Sequence, residues 1–467
     1  MNASPIRSRA RRDGNLLFVN DTGAFFVGDT GLASRLAEDR LSEKDQQFLG
    51  CRGHIIKSND PFGRDAHAFA VAERFTRAGG LDYLILVPTL RCNLSCSYCQ
   101  VSRANEDARG FDWSAVELDA VLQLLDSLTT DQVKIEFQGG EPTLRPDLLR
   151  AVIERCDRFA CRQFVICSNL QSLSEDVLDI FDRADVYIST SLDGDQATHE
   201  HNRTAGNGAA FFENLRFLID RYGPGKISAL PTIDPVAPPE IDSLIDAFRA
   251  YGLTSIFLRP INYQGFARKR HSASREQGPE WRRFYERFIR RLIELNWADP
   301  DCILEETYFS ICLRRIFQPH RDRHVDLRNP NPIGLDYIVV DYDGSIYPTD
   351  EARMLSRSRV IDLKIGQIGG DWKGETWRSL NEQSTNQFDP ACQRCAYQPF
   401  CGRDLIDDLA RYGRVDQMRT TTEFCRKHLW LFDLIFDLVY DKDPAVQFSL
   451  SRWLRLDTQP SLGEAYS

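Results

Sequence analysis

Hydrophobic positions along this chain fall into short runs separated by amphipathic stretches, and the alternation predicts an architecture. Strand-length apolar runs at residues 83–87, 133–137, 164–167, 186–191, 227–232 and 255–258 alternate with helical periodicity over 113–128, 146–156, 174–181, 209–221 and 240–251. A sixth helix is expected over 281–295. Successive strand–helix units imply a parallel sheet, either open or curved into a partial barrel. Before them, residues 16–19 and 24–27 flank Asn20-Asp21-Thr22-Gly23, a hairpin signal, followed by helices at 31–38 and 43–49 and a strand at 55–56. This small α+β unit is expected either to pack as a lid or to dock a peptide along a strand edge. After the alternating region come a mainly helical stretch (280–317), a polar linker (320–332), and a hairpin of 337–340 and 345–347 about Asp341-Tyr342-Asp343-Gly344. A strand near 364–368 and an amphipathic helix over 424–440 complete the pattern. The divisions expected are 1–80, 81–295, 296–336, 337–430 and 431–467.

Composition narrows the class. At 467 residues, 42% apolar and 27% charged, the chain has material for about three compact units. Its 58 basic and 68 acidic residues sum to −10, which argues against neutralising nucleic-acid phosphates as its main work. No run approaches the roughly 18 apolar residues of a membrane span, and the arginine-bearing start lacks the apolar core of a signal peptide. A cytoplasmic protein is expected, without membrane or nucleic-acid partners. Thirteen cysteines are too sparse for a disulfide scaffold, yet six lie in two groups, Cys92, Cys96, Cys99 and Cys392, Cys395, Cys401. Clustered thiols in a reducing compartment point to metal ligation.

Cys92-Asn-Leu-Ser-Cys96-Ser-Tyr-Cys99 follows the first strand of the alternating region, at the end where parallel α/β folds place their chemistry. Three thiolates without an adjacent fourth ligand can hold a cubane and leave one iron open. This C-x3-C-x2-C spacing, with Tyr98 before the last cysteine, resembles the radical S-adenosylmethionine enzymes. Gln138-Gly139-Gly140-Glu141-Pro142 after the second strand resembles that family's methionine-amine motif, its paired glycines letting a ligand approach the backbone. Ser168-Asn169, residues 189–194 with Ser191, and Arg203 resemble its ribose and carboxylate contacts. The resemblance implies a partial (β/α)6 TIM barrel, a [4Fe-4S] cluster with an open iron site, and S-adenosylmethionine cleaved to a 5′-deoxyadenosyl radical that abstracts hydrogen. Tyr98, Gly139, Gly140, Glu141, Ser168, Asn169, Ser191 and Arg203 are the implied cofactor contacts.

The second group, Cys392-x2-Cys395-x5-Cys401, resembles the SPASM extension of peptide-modifying radical enzymes, with Cys425 as the fourth ligand of an auxiliary iron–sulfur cluster. A four-cysteine zinc site is the alternative that C-x2-C also permits. Thr349 and Leu405 stand where members with a further auxiliary cluster carry cysteines, so two clusters in total are expected. Cys51, Cys156, Cys161, Cys167, Cys302 and Cys312 are read as buried structural residues. Asp350, in Tyr347-Pro348-Thr349-Asp350-Glu351-Ala352-Arg353, matches the aspartate thought to take a substrate proton in anaerobic sulfatase maturases; pairing with Arg353 is the alternative.

The motifs as a whole most resemble the His-Xaa-Ser-system radical maturases. That implies a ribosomal precursor peptide as substrate, oxidation or cross-linking of a side chain, a one-electron donor such as flavodoxin or ferredoxin, and a second radical SAM protein as companion. Sulfatase-type maturation and a small-molecule radical reaction are the enzymatic rivals. A noncatalytic iron–sulfur binding protein is the other class, but it would not need Gly139, Gly140, Glu141 and Arg203.

Overall fold

The computed structural model describes residues 2–3, 6–56, 60–204, 208–319, 324 and 327–466. Part of the linker expected at 320–332 therefore lies outside the described residues. The chain opens with a three-stranded antiparallel meander, β1 (Arg7–Ala10), β2 (Leu16–Val19) and β3 (Phe25–Gly28), followed by α1 (Thr30–Ala37), α2 (Glu43–Cys51) and α3 (Gly63–Ala72). The hairpin lies where the apolar runs put it. The third strand and α3 were not expected, and the reason is chemical: β1 reads Arg-Ser-Arg-Ala, and α3 has no buried residue.

This unit packs against the rest of the molecule. Leu17, Val19 and Val27 belong to the main core. The Phe25 ring meets Phe436 edge-on at 5.0 Å, and Arg9 grips Asp433 through both carboxylate oxygens.

The alternating region forms five parallel strands, β4 (Tyr83–Thr89), β5 (Gln132–Gly139), β6 (Cys161–Cys167), β7 (Val186–Ser191) and β8 (Ile227–Leu230). The connecting helices are α4 (Ala115–Ser127), α5 (Pro146–Arg155), α6 (Glu175–Phe181) and α7 (Ala209–Tyr222), with α8 (Ile241–Arg249) after β8. Ser114 and Ser174 cap α4 and α6, and Pro146 opens α5 at a position where its missing N–H costs nothing. The expected sixth strand is split. Ser255–Ile256 pairs with Glu305–Glu306, and Arg259–Pro260 pairs with Thr232–Ile233, because Pro231 interrupts the edge that β8 would otherwise offer.

Alternation sets the chemistry. On β5, Val133, Ile135 and Phe137 are buried in the core, while Lys134, Glu136 and Gln138 line the cavities on the other face.

Beyond α9 (Pro279–Ala298) and α10 (Thr307–Phe317), the chain returns to the same sheet. β9 (Tyr337–Val340) lies parallel to β4, Tyr337 opposite Tyr83, and β10 (Ser345–Tyr347) and β11 (Gly366–Gln367) continue it antiparallel. The central sheet thus has eight strands, in the order β8-β7-β6-β5-β4-β9-β10-β11. Then come α11 (Asp350–Arg357), α12 (Leu405–Tyr412), α13 (Glu423–Val439) and α14 (Pro444–Trp453), whose Trp453 is fully buried and donates to Leu304 O at 2.8 Å. No described helix is long and apolar enough to cross a membrane.

The cysteines outside the two groups need correcting. Cys156 and Cys312 are buried as expected, but Cys51 and Cys161 are exposed at element ends, and Cys302 and Cys167 are half-buried.

Candidate active site

The loop from Cys92 to Cys99 is held from three directions. From β5, Gly140 N donates to Thr89 O at 3.0 Å and Glu141 N to Arg91 O at 2.8 Å. A Cβ on Gly139 would lie 2.2 Å from Thr89 O, and one on Gly140 would lie 2.2 Å from Arg91 O. What the paired glycines admit, then, is first the backbone that leads to Cys92, and not only a ligand as the sequence reading had it. Gly139 also takes φ +127°, a conformation that favours glycine.

From β6, Asn169 donates through Nδ2 to Asn93 Oδ1 at 2.7 Å, and that nitrogen lies 3.8 Å from Cys92 Sγ. Its backbone N–H donates to Glu141 Oε2 at 2.7 Å. Glu141 is 2% exposed and also accepts from Thr143 Oγ1 at 2.6 Å; burial raises its pKa against these donors. Ser168 Oγ accepts from Leu170 N and fixes that turn. From beyond β7, Ser97 N donates to Asn202 O. Arg203 Nη1 donates to Tyr98 Oη at 2.9 Å, and Tyr98 donates to Asp193 Oδ2 at 2.5 Å. Asp193 in turn accepts from Thr232 N at 3.0 Å. Sequence reading did not single out Asp193, because its role lies in this tertiary network.

Cys92, Cys96 and Cys99 and all eight expected cofactor contacts line one cavity of about 240 Å³. Its chemistry suits an iron–sulfur cluster with a polar, carboxylate-bearing ligand. Burial pushes the Cys92 thiol up to about 12 and raises Cys96, so thiolates here require a cation such as iron. Arg203 supplies a half-buried planar cation, and Thr190 Oγ1, on the same wall, is buried with no partner among the described residues.

Glu136 and Arg259 line this cavity and also a second one of about 490 Å³. Glu136 accepts from Tyr83 Oη at 2.7 Å and Gln138 Nε2 at 2.5 Å, and Cys167 Sγ lies 3.6 Å away. Its charge adds to burial in raising both Tyr83 and Cys167. Strand alternation could have flagged Glu136, since it shares a face with Gln138 just before the glycine pair.

Asp350 opens α11, which Thr349 caps by accepting from Ala352 N at 3.0 Å. Its carboxylate accepts from Arg353 Nε at 2.8 Å, the pairing given above as its alternative role. It lines neither of the two cavities, whereas its neighbour Glu351 lines the larger.

Cys392, Cys395, Cys401 and Cys425 line a third cavity of about 220 Å³, with Arg419 and His428. Asp389 accepts from Cys392 N and Thr422 from Cys425 N, so each of these cysteines sits in the first turn of a capped helix. Burial pushes Cys392 to about 12 and Cys425 to about 11. Among the described residues, no three His, Cys, Asp or Glu side chains are drawn in around a single ion. Thr349 and Leu405 meet at a cavity of only about 20 Å³, room for one water.

Comparison with known proteins agrees with this geometry. Residues 86–257 match the Radical SAM superfamily. An uncharacterized protein of Methanocaldococcus jannaschii is 32% identical over 118 residues, 25% of this chain and 40% of that protein. The cysteine-type anaerobic sulfatase-maturating enzyme of Clostridium novyi is 25% identical over 352 residues, 69% of this chain and 86% of its own. Among solved structures, anSMEcpe with bound AdoMet superposes with TM-score 0.61 at 15% identity, covering 80% of this chain and 98% of that one. SuiB of Streptococcus suis superposes with TM-score 0.52 at 13% identity, covering 91% and 100%. Strand order, cysteine loop and family match converge: residues 86–257 of this chain are a radical SAM superfamily domain.

Proposed function

We propose that this chain is a radical S-adenosylmethionine maturase that removes hydrogen from a side chain of a ribosomally made precursor peptide. The observation that carries the reading is the shared wall at Glu136, Arg259 and Pro260, which line both the cysteine-lined cavity and a neighbouring one about twice its volume. Bound by Cys92, Cys96 and Cys99, a [4Fe-4S] cluster with an open iron, together with S-adenosylmethionine, supplies a carbon radical able to take a hydrogen atom.

The chain's own residues bind and orient. Arg203 offers its fork to a carboxylate, and Tyr98 and Asp193 fix its direction. Gly139, Gly140 and Glu141 set the loop backbone, and Ser168, Asn169 and Ser191 offer polar contacts along the adjoining strand ends. Trp281, Phe257 and Trp430 give the larger cavity apolar walls that exclude water from a bound side chain. Glu136 is placed to accept a substrate proton at this shared wall; Asp350 can do so only after release from Arg353.

Cys392, Cys395, Cys401 and Cys425 are assigned an auxiliary iron–sulfur cluster. The four thiols line one cavity, as the ligands of a shared cluster would, and His428 lines both that cavity and the substrate cavity. The peptide reading is supported by anSMEcpe, solved with AdoMet and Cp18Cys peptide, and by SuiB, solved with precursor peptide SuiA. The same reading includes a His-Xaa-Ser-type precursor, a flavodoxin or ferredoxin as electron donor, a companion radical SAM protein and a cytoplasmic location. Sulfatase-type maturation is the second reading, favoured by the Clostridium novyi relative; the small space between Thr349 and Leu405 speaks against the additional cluster of that pattern.

The test is anaerobic reconstitution with iron, sulfide and dithionite, followed by S-adenosylmethionine and the precursor peptide encoded beside the gene. Deoxyadenosine and a mass change in the peptide are expected. Intact S-adenosylmethionine in material showing cubane absorption overturns the enzyme; deoxyadenosine without any modified peptide overturns the substrate.

A further inference from the structure

Three cations of the larger cavity have no counter-ion among the described residues. Lys134 of β5, Arg259 beyond α8 and Lys427 of α13 all line it, half-buried, and the side chain of each lacks a hydrogen-bond or ion-pair partner there. Each leans on an aromatic ring instead. Lys134 Nζ lies 4.4 Å from the centre of the Tyr83 ring, Lys427 Nζ 4.3 Å from that of Tyr308, and the Arg259 guanidinium carbon 5.8 Å from that of Phe257. Tyr308 and Phe257 are themselves stacked, 5.9 Å apart and 12° from parallel, so a chain of contacts runs Lys427, Tyr308, Phe257, Arg259.

The carboxylates of the same cavity are engaged. Asp407 takes Arg411 through both oxygens at 2.8 Å. Glu423 accepts from Gln277 N at 2.9 Å and from Arg426 at 3.0 Å, and Glu136 from Tyr83 and Gln138. Asp404 accepts from two amides at the head of α12, and Glu351 is engaged as well. Formal charge is therefore a poor guide to this cavity: its acids are taken up, and its three cations keep their donors free. A ring face attracts a cation without using its N–H groups, so an ammonium leaning on one still offers three donors and a guanidinium five. In a half-buried setting a carboxylate meets such donors in short, charge-assisted hydrogen bonds, and opposite charges across an interface set specificity. Cations seated on separate rings suit carboxylates on different residues of one chain better than a single compact polyanion.

We propose that Lys134, Arg259 and Lys427 are specificity determinants of this cavity, and that the chain seated in it is an acidic peptide segment whose aspartate or glutamate carboxylates meet them. Calling that segment the substrate rests on the function proposed above; the preference for carboxylates does not.

The test is fluorescence anisotropy at low ionic strength with the full chain, S-adenosylmethionine withheld. Two fluorescein-labelled peptides are compared, Gly-Glu-Ser-Gly-Glu-Ser-Gly-Glu-Gly and its counterpart with glutamine for every glutamate. The parent should bind the glutamate peptide about tenfold more tightly than the glutamine one. Lys134→Gln combined with Lys427→Gln should erase that preference, whereas Lys373→Gln combined with Lys442→Gln, which removes the same charge from exposed positions, should keep it. Lys134→Arg with Lys427→Arg, which retains both charges, should also keep it. If the cavity glutamine pair is unstable, Lys427→Gln alone should reduce the preference about threefold. No preference in the parent, or equal loss in both glutamine pairs, overturns the assignment. Displacement of the glutamate peptide by inorganic phosphate beyond that by chloride of equal ionic strength marks a phosphate site and overturns it too. Cofactor cleavage plays no part in the measurement: a chain that shows the preference yet leaves S-adenosylmethionine intact keeps the cation site and loses the maturase, and the opposite result does the reverse.

Discussion

Arg353, whose side chain is wholly buried, donates from Nε to Asp350 Oδ1 at 2.8 Å, and its Nη1 lies 3.6 Å from the equally buried Asp341. One cation thus holds two carboxylates beneath the hairpin of β9 and β10. Removing Asp350 leaves the buried cation with Asp341 alone and takes away its charge-assisted hydrogen bond, at a cost of about 2 kcal/mol. Asp350→Asn should therefore lower the urea midpoint as well as product formation. An Asp350→Asn protein of parental stability that cleaves S-adenosylmethionine without modifying peptide would instead mark Asp350 as a proton acceptor.

Gly140 should tolerate no side chain. A Cβ there meets Arg91 O at 2.2 Å and Leu90 O at 2.4 Å, both backbone atoms that cannot swing aside. Gly140→Ala is expected to cost on the order of 2 kcal/mol and to push the Cys92 loop outward. Reconstituted variant should retain less iron at the first cluster, measured by absorption against the parent.

The two cysteine groups should separate by substitution. Cys96→Ala should abolish deoxyadenosine formation while the auxiliary iron persists. Cys395→Ala should roughly halve the iron and sulfide bound, if each site holds a cubane. Unchanged iron in Cys395→Ala would remove the auxiliary site.

Thr349 is the N-cap of α11, and Thr349→Ala should cost about 1 kcal/mol in chemical denaturation. Thr349→Cys is expected to add no iron, since the adjoining space is about 20 Å³.

Acidification should loosen the N-terminal unit. His54 is buried beside the Phe26 ring, 4.7 Å between centroids, and burial with the Arg52 charge lowers its pKa from 6.5 to about 4. The unfolded chain takes up a proton that the folded imidazole refuses, so its contribution to stability is present above pH 6.5 and falls as pH drops towards 4. The slope reaches about 1.4 kcal/mol per pH unit. His54→Phe should flatten the urea midpoint against pH across that window, and an unchanged profile would assign the slope elsewhere.

The main strands were legible because each carries a buried apolar run, and order along the chain then placed Cys92, Gly139, Asn169, Ser191 and Arg203 near one sheet end. β1 and α3 were not, since neither has an apolar stripe to announce it. Glu136 is half-legible: alternation gives its face, but nothing local says that two cavities meet there. Asp193 depends on Tyr98 and Thr232, 95 and 39 residues away along the chain. β9 was read correctly as a strand, but its pairing with β4 was not foreseen, because hydrophobic pattern records burial and not the identity of the neighbour.

That neighbour matters for anyone isolating the catalytic half. Because Tyr337 to Val340 hydrogen-bond along Tyr83 to Leu86, a fragment stopped at residue 295 would leave the first barrel strand bare along its length, with Leu84 and Leu86 in its core face. Such a fragment is expected to self-associate through that naked border, so the radical domain and its cysteine-rich companion have to be produced, purified and mutated as one folding unit.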